Sequence, residues 1–307
     1  MKLLHWMKAE RSGLASSTLE LATHEERQGH AVAIRDPGAE NLMYGQPITP
    51  DVHLVHSQIS TSTYHDGISK IMWMHGEPIS SVGNGVSMKA IVDLAPMMDA
   101  FICMRQDELP IWSSIKRTHL VPKGIDLEQF KPLPQVERLS GEPAVLYVEN
   151  WRGQRNPLYL CIAMQEVWQR NPKARLHLFN CPGGKESEWI HAMAKHNKWW
   201  PFMRTISGAV KDVNELYNKA DMVVSCLYPL YARGIEAFGA GKAFIGPGYR
   251  EHDYPWRCEL DPHSMAQAIE QCWSDYGRVN YRQWAEQHHD VAETVKQSIG
   301  IYERYVA

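Results

Sequence analysis

One acidic side chain, Glu236, stands in a glycine-rich stretch that otherwise carries little charge. The stretch runs from Ser225 to Gly248, and it follows a short apolar segment, Met222 to Val224, that predicts a strand. A carboxylate can accept hydrogen bonds from neighbouring hydroxyls, and the free N–H groups at a helix N-terminus can hold a phosphate. A helix that starts near Gly234 and carries a single acid therefore predicts a sugar nucleotide as the ligand.

Strand-like and helix-like segments alternate along the whole chain. This order is typical of parallel, doubly wound sheets, in which right-handed crossovers place the loops that follow the strands on one edge. The sequence predicts strands at 2–6, 31–34, 52–55, 71–74, 100–104, 120–121, 145–148, 174–179, 205–207, 222–224 and 243–245. It predicts helices at 13–29, 157–169, 186–196, 213–220 and from 234 onward.

A polar stretch rich in proline and glycine, 130–143, interrupts this alternation and is a linker candidate. The chain has 307 residues, 44% of them hydrophobic, so it is long enough for two cores of about 150 residues each. Two domains, each an α/β unit of Rossmann type, are therefore expected.

Charge and cysteine usage exclude several classes of protein. The net charge is −3, which gives no overall basic field for nucleic acid or an anionic membrane. The six cysteines are scattered without zinc-ligand spacing, and none of the 15 histidines forms an H-E-x-x-H motif. With no signal peptide and no long apolar span, we expect a reduced, cytoplasmic protein without integral membrane association.

Four segments, in order along the chain, resemble motifs of glycosyltransferase family 4. Val121 to Pro132 resembles the interdomain signature V-I-P-N-G-V-D-x-x-x-F-x-P, and Leu146 to Pro157 resembles the strand and loop that open the donor domain. Ile206 to Asp221 resembles a G-x-V segment followed by E-L-Y-x-x-A-D, and Ser225 to Glu236 corresponds to the E-x7-E region.

The resemblance implies an α/β fold of the GT-B type, in which two Rossmann-like, doubly wound parallel-sheet domains face each other across a cleft. It assigns the acceptor side to residues 1–132 and the nucleotide-sugar donor to residues 143–287, with a C-terminal helix at 288–307 that crosses back onto the first domain. Such enzymes generally retain the anomeric configuration and need no divalent metal. The implied activity is transfer from a nucleoside-diphosphate sugar, with UDP favoured and no further cofactor, to an acceptor hydroxyl.

The acid of the donor site falls on Glu236, which resembles the second acid of E-x7-E, the one that binds ribose hydroxyls. An acid favoured by the dipole in the first turns of a helix is the alternative interpretation. The first acid of the motif is replaced by Tyr228, which cannot accept two donors as a carboxylate does. Because of this departure, the identity of the transferred sugar stays open. An inactive module that binds nucleotide sugars remains an alternative function.

Three arginines are candidates for contact with the donor. Arg155 falls where the family carries a lysine that meets the diphosphate, and Arg152 lies in the same predicted loop. Arg233, just before Glu236, is a third phosphate or sugar contact or else forms a surface salt bridge. A guanidinium fork suits phosphate oxygens and would stabilise the departing diphosphate, whereas solvated loop arginines are the alternative.

The remaining candidates follow other predicted strands. Gly13 heads the first helix and would allow close approach of backbone to phosphate or acceptor. His75 resembles the family's cleft histidine near the reacting carbon, with Glu77 as an assisting or helix-capping residue. Gly208 and Val210 fall where backbone groups of the family contact the base, or they pack at a strand end.

The acceptor is a saccharide or small molecule by default, because Ser16 to Gln28 has too many acids for a basic, membrane-binding helix. A hydroxymethylated DNA base of viral type is the less common possibility, with a GT-B epimerase or phosphorylase as a further alternative activity. Aromatic and basic residues that could contact a nucleic acid are Trp112, Lys116, Arg117, Trp199 and Trp200, although core edges and solvated faces explain them equally.

Overall fold

A computed structural model of the chain describes residues 1–7, 12–36, 42–56, 66–74, 88–149, 157–179, 185–206, 212–226, 232–247 and 256–306. The chain divides into two compact units. Unit 1 comprises Met1–Asp126 and His289–Ala307, and unit 2 comprises Leu127–His288.

Strands and helices alternate through much of the described part of the chain, as the sequence predicts. The strands are β1 (Lys2–Trp6), β2 (Ala31–Arg35), β3 (Leu42–Gly45), β4 (Val52–Val55), β5 (Ser69–Met74), β6 (Ala100–Cys103), β7 (Thr118–Leu120), β8 (Ala144–Tyr147), β9 (Arg175–Phe179), β10 (Met203–Ile206), β11 (Met222–Val224), β12 (Ala243–Pro247) and β13 (Arg257–Cys258). The helices are α1 (Ser12–Arg27), α2 (Met88–Leu94), α3 (Leu109–Ser113), α4 (Leu158–Arg170), α5 (Lys185–His196), α6 (Val213–Lys219), α7 (Ala232–Gly239), α8 (Pro262–Ser274), α9 (Tyr281–His288) and α10 (Val291–Tyr302).

The sheet of unit 1 has the order β3-β2-β1-β4-β5-β6-β7, with every pair parallel except β2 and β3. Its central strands are buried and mostly apolar, as expected for a parallel sheet covered by helices. Leu3 on β1 and Met7 just after it belong to the cluster that includes α1 and α10, whereas Leu4 and Trp6 on β1 belong to the cluster that includes α2. The α1 helix is followed by Gly29 at φ +87°, which confirms the predicted glycine terminator.

The sheet of unit 2 has the order β10-β9-β8-β11-β12-β13, and all its pairs are parallel. In each unit the first strand has its sequence neighbour on one side and a later strand on the other. This reversal lies between β1 and β4 in unit 1 and between β8 and β11 in unit 2. Open α/β sheets bind their ligands at the carboxyl ends of the strands that flank such a reversal.

The proline-rich stretch 130–143 is part of unit 2, so the chain crosses between the units ahead of the predicted linker, at Asp126–Leu127. Two asparagines of α6 hold its backbone. Asn218 accepts a hydrogen bond from the Leu133 N–H at 2.8 Å, and Asn214 exchanges hydrogen bonds with the backbone of Lys131 at 3.2 and 3.1 Å. The stretch therefore packs as an ordered part of the second unit.

The chain returns to unit 1 beside the point where it leaves. Ile125 forms a bridge with Asp290, and the Val291 N–H donates to the Ile125 carbonyl at 3.1 Å. The Thr294 hydroxyl donates to the carbonyl of Pro122 at 2.9 Å, so α10 is hydrogen-bonded to the V-P-K-G-I-D segment at two levels. This pairing explains why α10 packs on the sheet of unit 1.

In the described part of the chain, no helix combines the length and apolarity needed to cross a membrane.

Candidate functional site

Two polar side chains meet at the reversal point of the unit 2 sheet. Ser225 directly follows β11, Glu149 lies two residues after β8, and the Ser225 hydroxyl donates a hydrogen bond to Glu149 Oε1. Both residues are buried. A carboxylate is thus held at the edge where ligands of open α/β sheets bind.

The next helix, α7, carries Glu236, and the protein fixes its carboxylate from two directions. The hydroxyl of Tyr217, on α6, donates a hydrogen bond to Glu236 Oε2 at 2.7 Å. Arg233 Nη1 donates to the same oxygen at 2.8 Å, as the i, i+3 spacing on one helix allows. Within the described residues, Oε1 accepts no hydrogen bond. The arrangement holds one oxygen in place and leaves the other to accept hydrogen bonds from a ligand.

Burial and charge keep the Tyr217 phenol neutral and the Arg233 guanidinium positively charged. Burial raises the pKa of Tyr217 well above its ordinary value, and the nearby Glu236 carboxylate adds to the effect, so the phenol remains a hydrogen-bond donor. The Glu236 carboxylate is the largest cause of a raised pKa for Arg233. Arg233 is 45% exposed at its side chain, whereas the Glu236 side chain is 11% exposed. The Glu236 carboxylate is therefore held between the buried, neutral Tyr217 hydroxyl and the partly exposed Arg233 guanidinium.

The structure places only some of the predicted site residues. Gly13 is the second residue of α1, and Gly234 is buried in α7 one residue after Arg233. The others lie outside the described residues: His75, Glu77, Arg152, Arg155, Gly208, Val210 and Tyr228. Their predicted roles stay predictions.

Two partners in this site were not found by the sequence analysis. Tyr217 contacts Glu236 across 19 residues of sequence, and Ser225 contacts Glu149 across 76. A signal for Glu149 does exist, because an acid that follows the apolar strand 145–148 at a predicted sheet edge is unusual. Tyr217 is the tyrosine of the E-L-Y-x-x-A-D match, but the motif did not indicate its contact with Glu236.

Some of the aromatic residues considered for nucleic-acid contact are part of the core. Trp112 is fully buried and packs edge-on against Phe101, and Trp199 is 2% exposed. Their rings therefore offer no face for stacking on a base. Trp200 is 42% exposed and stacks on His191, so it alone of these three tryptophans presents a surface ring.

Five of the six cysteines lie in the described part of the chain. The described cysteines are free and buried: Cys103, Cys161, Cys226, Cys258 and Cys272. Burial raises the pKa of the Cys161 thiol to about 12, which makes it a poor nucleophile. Among the residues that the structure describes, no group of three or more histidine, cysteine, aspartate or glutamate side chains is arranged to hold a metal ion.

Comparisons by sequence and by structure give different results for this chain. No family model matches the chain, and no curated protein matches it by sequence. Solved structures do match over nearly the full length. A glycosyltransferase from Rickettsia africae ESF-5 has a TM-score of 0.76 at 14% identity, with 99% of this chain and 98% of that chain covered.

Two further structures agree with it. Sucrose-phosphate synthase from Thermosynechococcus elongatus has a TM-score of 0.75 at 14% identity, covering 99% of this chain and 98% of that chain. Anabaena Alr3699/HepE, solved in complex with UDP-glucose, has a TM-score of 0.71 at 14% identity, covering 99% of this chain and all of that chain. Likeness at this identity establishes the architecture: the chain has the GT-B type of α/β fold, built from two units with predominantly parallel sheets.

Proposed function

We propose that this protein is a glycosyltransferase that moves a sugar from a nucleoside-diphosphate sugar, with UDP as the favoured nucleoside diphosphate, to an acceptor hydroxyl. The observation that carries the proposal is the Glu236 carboxylate on the helix after β11, held through one oxygen by Tyr217 and Arg233. Structural neighbours add support, since Anabaena HepE was solved with UDP-glucose and pneumococcal GtfA with UDP and GlcNAc.

Ribose recognition follows from the chemistry of Glu236. The vicinal 2′- and 3′-hydroxyls of ribose are two donors on adjacent carbons, and an ionised carboxylate is an acceptor that can receive both. Hydrogen bonds to an ionised acceptor are about twice as strong as neutral ones. With Oε2 already bound by Tyr217 and Arg233, the side chain cannot rotate away, so little conformational entropy is lost when the nucleoside binds.

Cations and backbone amides bind the diphosphate in this proposal. Arg155 and Arg152 contact its oxygens, Gly234 lets backbone approach it closely, and Gly208 and Val210 contact the base. Arg233 adds positive charge at the surface end of the site. As the sugar leaves, negative charge builds up on the β-phosphate, and fixed cations stabilise that charge.

The reaction proceeds with retention by front-face displacement. The bond between the anomeric carbon and the β-phosphate oxygen breaks, the acceptor oxygen bonds to the same face, and the acceptor proton passes to the leaving diphosphate. No carboxylate pair at glycosidase spacing is needed for this step. His75 and Glu77 orient the sugar and the acceptor hydroxyl, and the protein acts in the cytoplasm without a metal or further cofactor. A saccharide or small molecule is the acceptor, with a hydroxymethylated DNA base as the second candidate.

Calorimetric titration of the purified protein with UDP, ADP, GDP and dTDP tests the nucleotide, and UDP release tests the reaction. The release assay uses UDP-glucose, UDP-galactose or UDP-GlcNAc with methyl glucosides, maltose or duplex DNA containing 5-hydroxymethylcytosine. We expect UDP to bind in the micromolar range and one pair of substrates to release it. Binding without any UDP release would favour the binding module, which the replacement of the first motif acid by Tyr228 suggests, and free epimerised sugar would favour an epimerase. Binding of none of the nucleotides would refute the proposal.

The Tyr217→Phe variant is expected to weaken UDP binding about fivefold to tenfold. It removes one charge-assisted hydrogen bond to Glu236 but keeps the aromatic ring that packs at 6.4 Å from Phe130, so the fold is retained. The matched control is Tyr281→Phe, another buried tyrosine of unit 2, whose hydroxyl accepts a hydrogen bond from Trp256. Calorimetry should show weaker UDP binding in the first variant only, and equal affinities in both would contradict the assigned role of Tyr217.

A further inference from the structure

An arginine and a tryptophan meet at the carboxyl edge of the unit 1 sheet. Arg35 is the last residue of β2 and is in register with Trp6, the last residue of β1. The guanidinium carbon of Arg35 lies over the Trp6 ring, 5.7 Å from its centroid. The backbone is fixed here, because Met7 N–H donates to the Arg35 carbonyl at 3.0 Å and His56 N–H donates to the Trp6 carbonyl at 2.9 Å. Arg35 is therefore built into the edge where open α/β sheets bind ligands.

The positive charge of Arg35 is not balanced within the described part of the chain. The side chain is partly buried, and its Nε is buried and donates to none of the described acceptors. Of the carboxylates that the structure describes, none forms an ion pair with this guanidinium. A buried N–H without an acceptor and a cation without an anion both cost free energy. A cation–π contact at a partly exposed site contributes less than this cost, so the Trp6 ring alone does not account for Arg35.

The Trp6 ring beneath Arg35 is held by a network of buried polar groups. Its indole N–H donates to His53 Nδ1 at 2.9 Å, and His53 Nε2 lies 2.6 Å from Asp66 Oδ2. Lys70 Nζ donates to the other carboxylate oxygen of Asp66 at 2.7 Å. Trp6 is 6% exposed, and His53 and Lys70 are each 3% exposed. The indole cannot rotate without breaking these buried hydrogen bonds, so the surface on which Arg35 stacks is rigid.

The hydrogen positions in this network follow from the indole. An indole nitrogen only donates, so His53 Nδ1 accepts and the hydrogen of the neutral ring is on Nε2, facing Asp66. Burial lowers the pKa of His53 although Asp66 opposes the effect, so the ring is neutral at neutral pH. Burial opposes ionisation of Asp66, but hydrogen bonds from Lys70, the Ile68 N–H and His53 outweigh it and lower its pKa. The network uses its own donors internally, which leaves Arg35 as the donor for a ligand.

We propose that Arg35 binds an anionic group of the acceptor, a phosphate or a carboxylate, so that the acceptor is a phosphorylated or acidic sugar. A guanidinium presents N–H donors in a fork that matches both groups, and bonds between ions are stronger than neutral ones. The β1 strand flanks the reversal in strand order, and β2 is its neighbour at a spacing of about 4.8 Å. A sugar bound at the reversal is therefore within reach of Arg35 through one charged substituent. The inference rests on the proposed glycosyl transfer, because that reaction supplies the acceptor.

The first test measures binding without turnover. Nitrogen-15 spectra of the arginine Nε–H groups, with the Arg35 signal assigned by its loss in Arg35→Lys, report this donor directly. The probes are inorganic phosphate, glucose 6-phosphate and glucuronate at constant ionic strength, with glucose as the uncharged control. We expect the Arg35 signal to shift saturably with glucose 6-phosphate or glucuronate and to stay in place with glucose. The tighter of the two sugars identifies the anion, and no saturable shift with any of the three anions would overturn the inference.

The second test compares acceptors in the UDP-release assay with the same three UDP-sugars as donors. We expect kcat/KM for glucose 6-phosphate or glucuronate to exceed that for methyl glucoside at least about tenfold. Arg35→Met keeps a long apolar side chain on the Trp6 ring but removes the charge. It should lower kcat/KM for the anionic acceptor about 30-fold and so abolish the preference. Arg35→Lys should recover part of the loss, because an ammonium group still binds an anion as a point charge.

The matched control is Arg117→Met, which removes the same charge from the same unit. Arg117 is exposed and directly precedes β7, so it lies at the amino edge of the sheet, opposite Arg35. This variant should keep the preference for the anionic acceptor. Should Arg35→Met fail to fold, the wild-type spectra and the kinetics of Arg35→Lys still decide.

Calorimetry with UDP separates this inference from the proposed function. The Kd for UDP should be the same in Arg35→Met and the wild-type protein, whereas weaker binding would assign Arg35 to the donor and overturn the inference. Equal kcat/KM for neutral and anionic acceptors would also overturn it and leave glycosyl transfer standing. No UDP binding by the wild-type protein would refute the transfer, and the acceptor role of Arg35 with it.

Discussion

Replacing Glu236 with alanine is expected to weaken UDP binding by at least about 100-fold and to abolish measurable transfer. The variant removes an ionised acceptor for two ribose hydroxyls, and each such bond contributes about 1.5–3 kcal/mol. It also leaves the buried Tyr217 hydroxyl without its carboxylate partner and frees Arg233 from the ion pair. Glu236→Gln should fall between, at about tenfold, because one carbonyl oxygen still accepts a hydrogen bond.

Calorimetric titration with UDP measures this effect directly, and the thermal shift at saturating UDP provides a second readout. The matched control is Glu215→Ala on α6, an acid with a 48% exposed side chain that pairs with Lys219 on the same helix. The control should bind UDP as the wild-type protein does. A folded Glu236→Ala variant with unchanged UDP affinity would exclude the proposed nucleotide site.

The Gly124→Ala variant is expected to destabilise unit 1 by about 3 kcal/mol or more. A Cβ atom at Gly124 would lie 2.4 Å from Val291 Cα and 2.6 Å from Thr294 Oγ1, far inside van der Waals contact. The start of α10 cannot easily move away, because Val291 N–H and the Thr294 hydroxyl are hydrogen-bonded to the carbonyls of Ile125 and Pro122. The added methyl must therefore push α10 off the core that Val295 and Tyr302 complete.

Chemical denaturation followed by tryptophan fluorescence measures the free energy of unfolding. Gly300→Ala is the matched control, since it lies in the same helix and a Cβ there meets no atom within 4 Å. Removing a glycine from a helix interior stabilises by about 0.5–1 kcal/mol, so the two variants should move in opposite directions. Equal stability of Gly124→Ala and the wild-type protein would show that α10 is not clamped at this glycine.

The contacts of Gly124 also give a structural reason for one of the four motifs described above. The V-P-K-G-I-D segment contains the buried Val121, the glycine against α10 and the Ile125 that bridges to Asp290. These contacts hold the chain where it leaves and re-enters unit 1. The motif therefore encodes the crossing of the chain between the two units.

Apolar segments and helix-terminating glycines depend on only a few neighbouring residues. They therefore predicted most of the strands and helices correctly. The strands at 2–6, 52–55 and 222–224 have the predicted bounds, and α1 ends just ahead of Gly29. Two strands were missed, and both lie at the edge of a sheet: β13, Arg257–Cys258, and β3, Leu42–Gly45, which pairs antiparallel with its neighbour. Its side chains alternate between exposed and partly buried, so it lacks the continuous apolar run that marks the central strands.

The sequence predicted a residue of the candidate site only where its immediate sequence context was distinctive. Glu236 is evident from the sequence because it is the one acid in a glycine-rich helix start after a strand. Its hydrogen bond from Tyr217 depends on how α6 packs against α7, and no pattern along the chain encodes that packing. The pairing of Ser225 with Glu149 likewise exists because β8 and β11, far apart in sequence, are neighbours in the sheet.

The amino-acid sequence by itself determined two α/β units, the alternation of their elements and the position of one carboxylate after a strand. Those features follow from periodicity and turn chemistry, which operate over short distances along the chain. The tertiary structure alone decided that Glu25, His5 and His56 form one hydrogen-bonded chain, and that the crossing lies at Asp126–Leu127. Strand order reverses at β1 and at β8, and only this reversal brings side chains from distant segments to the same edge of a sheet.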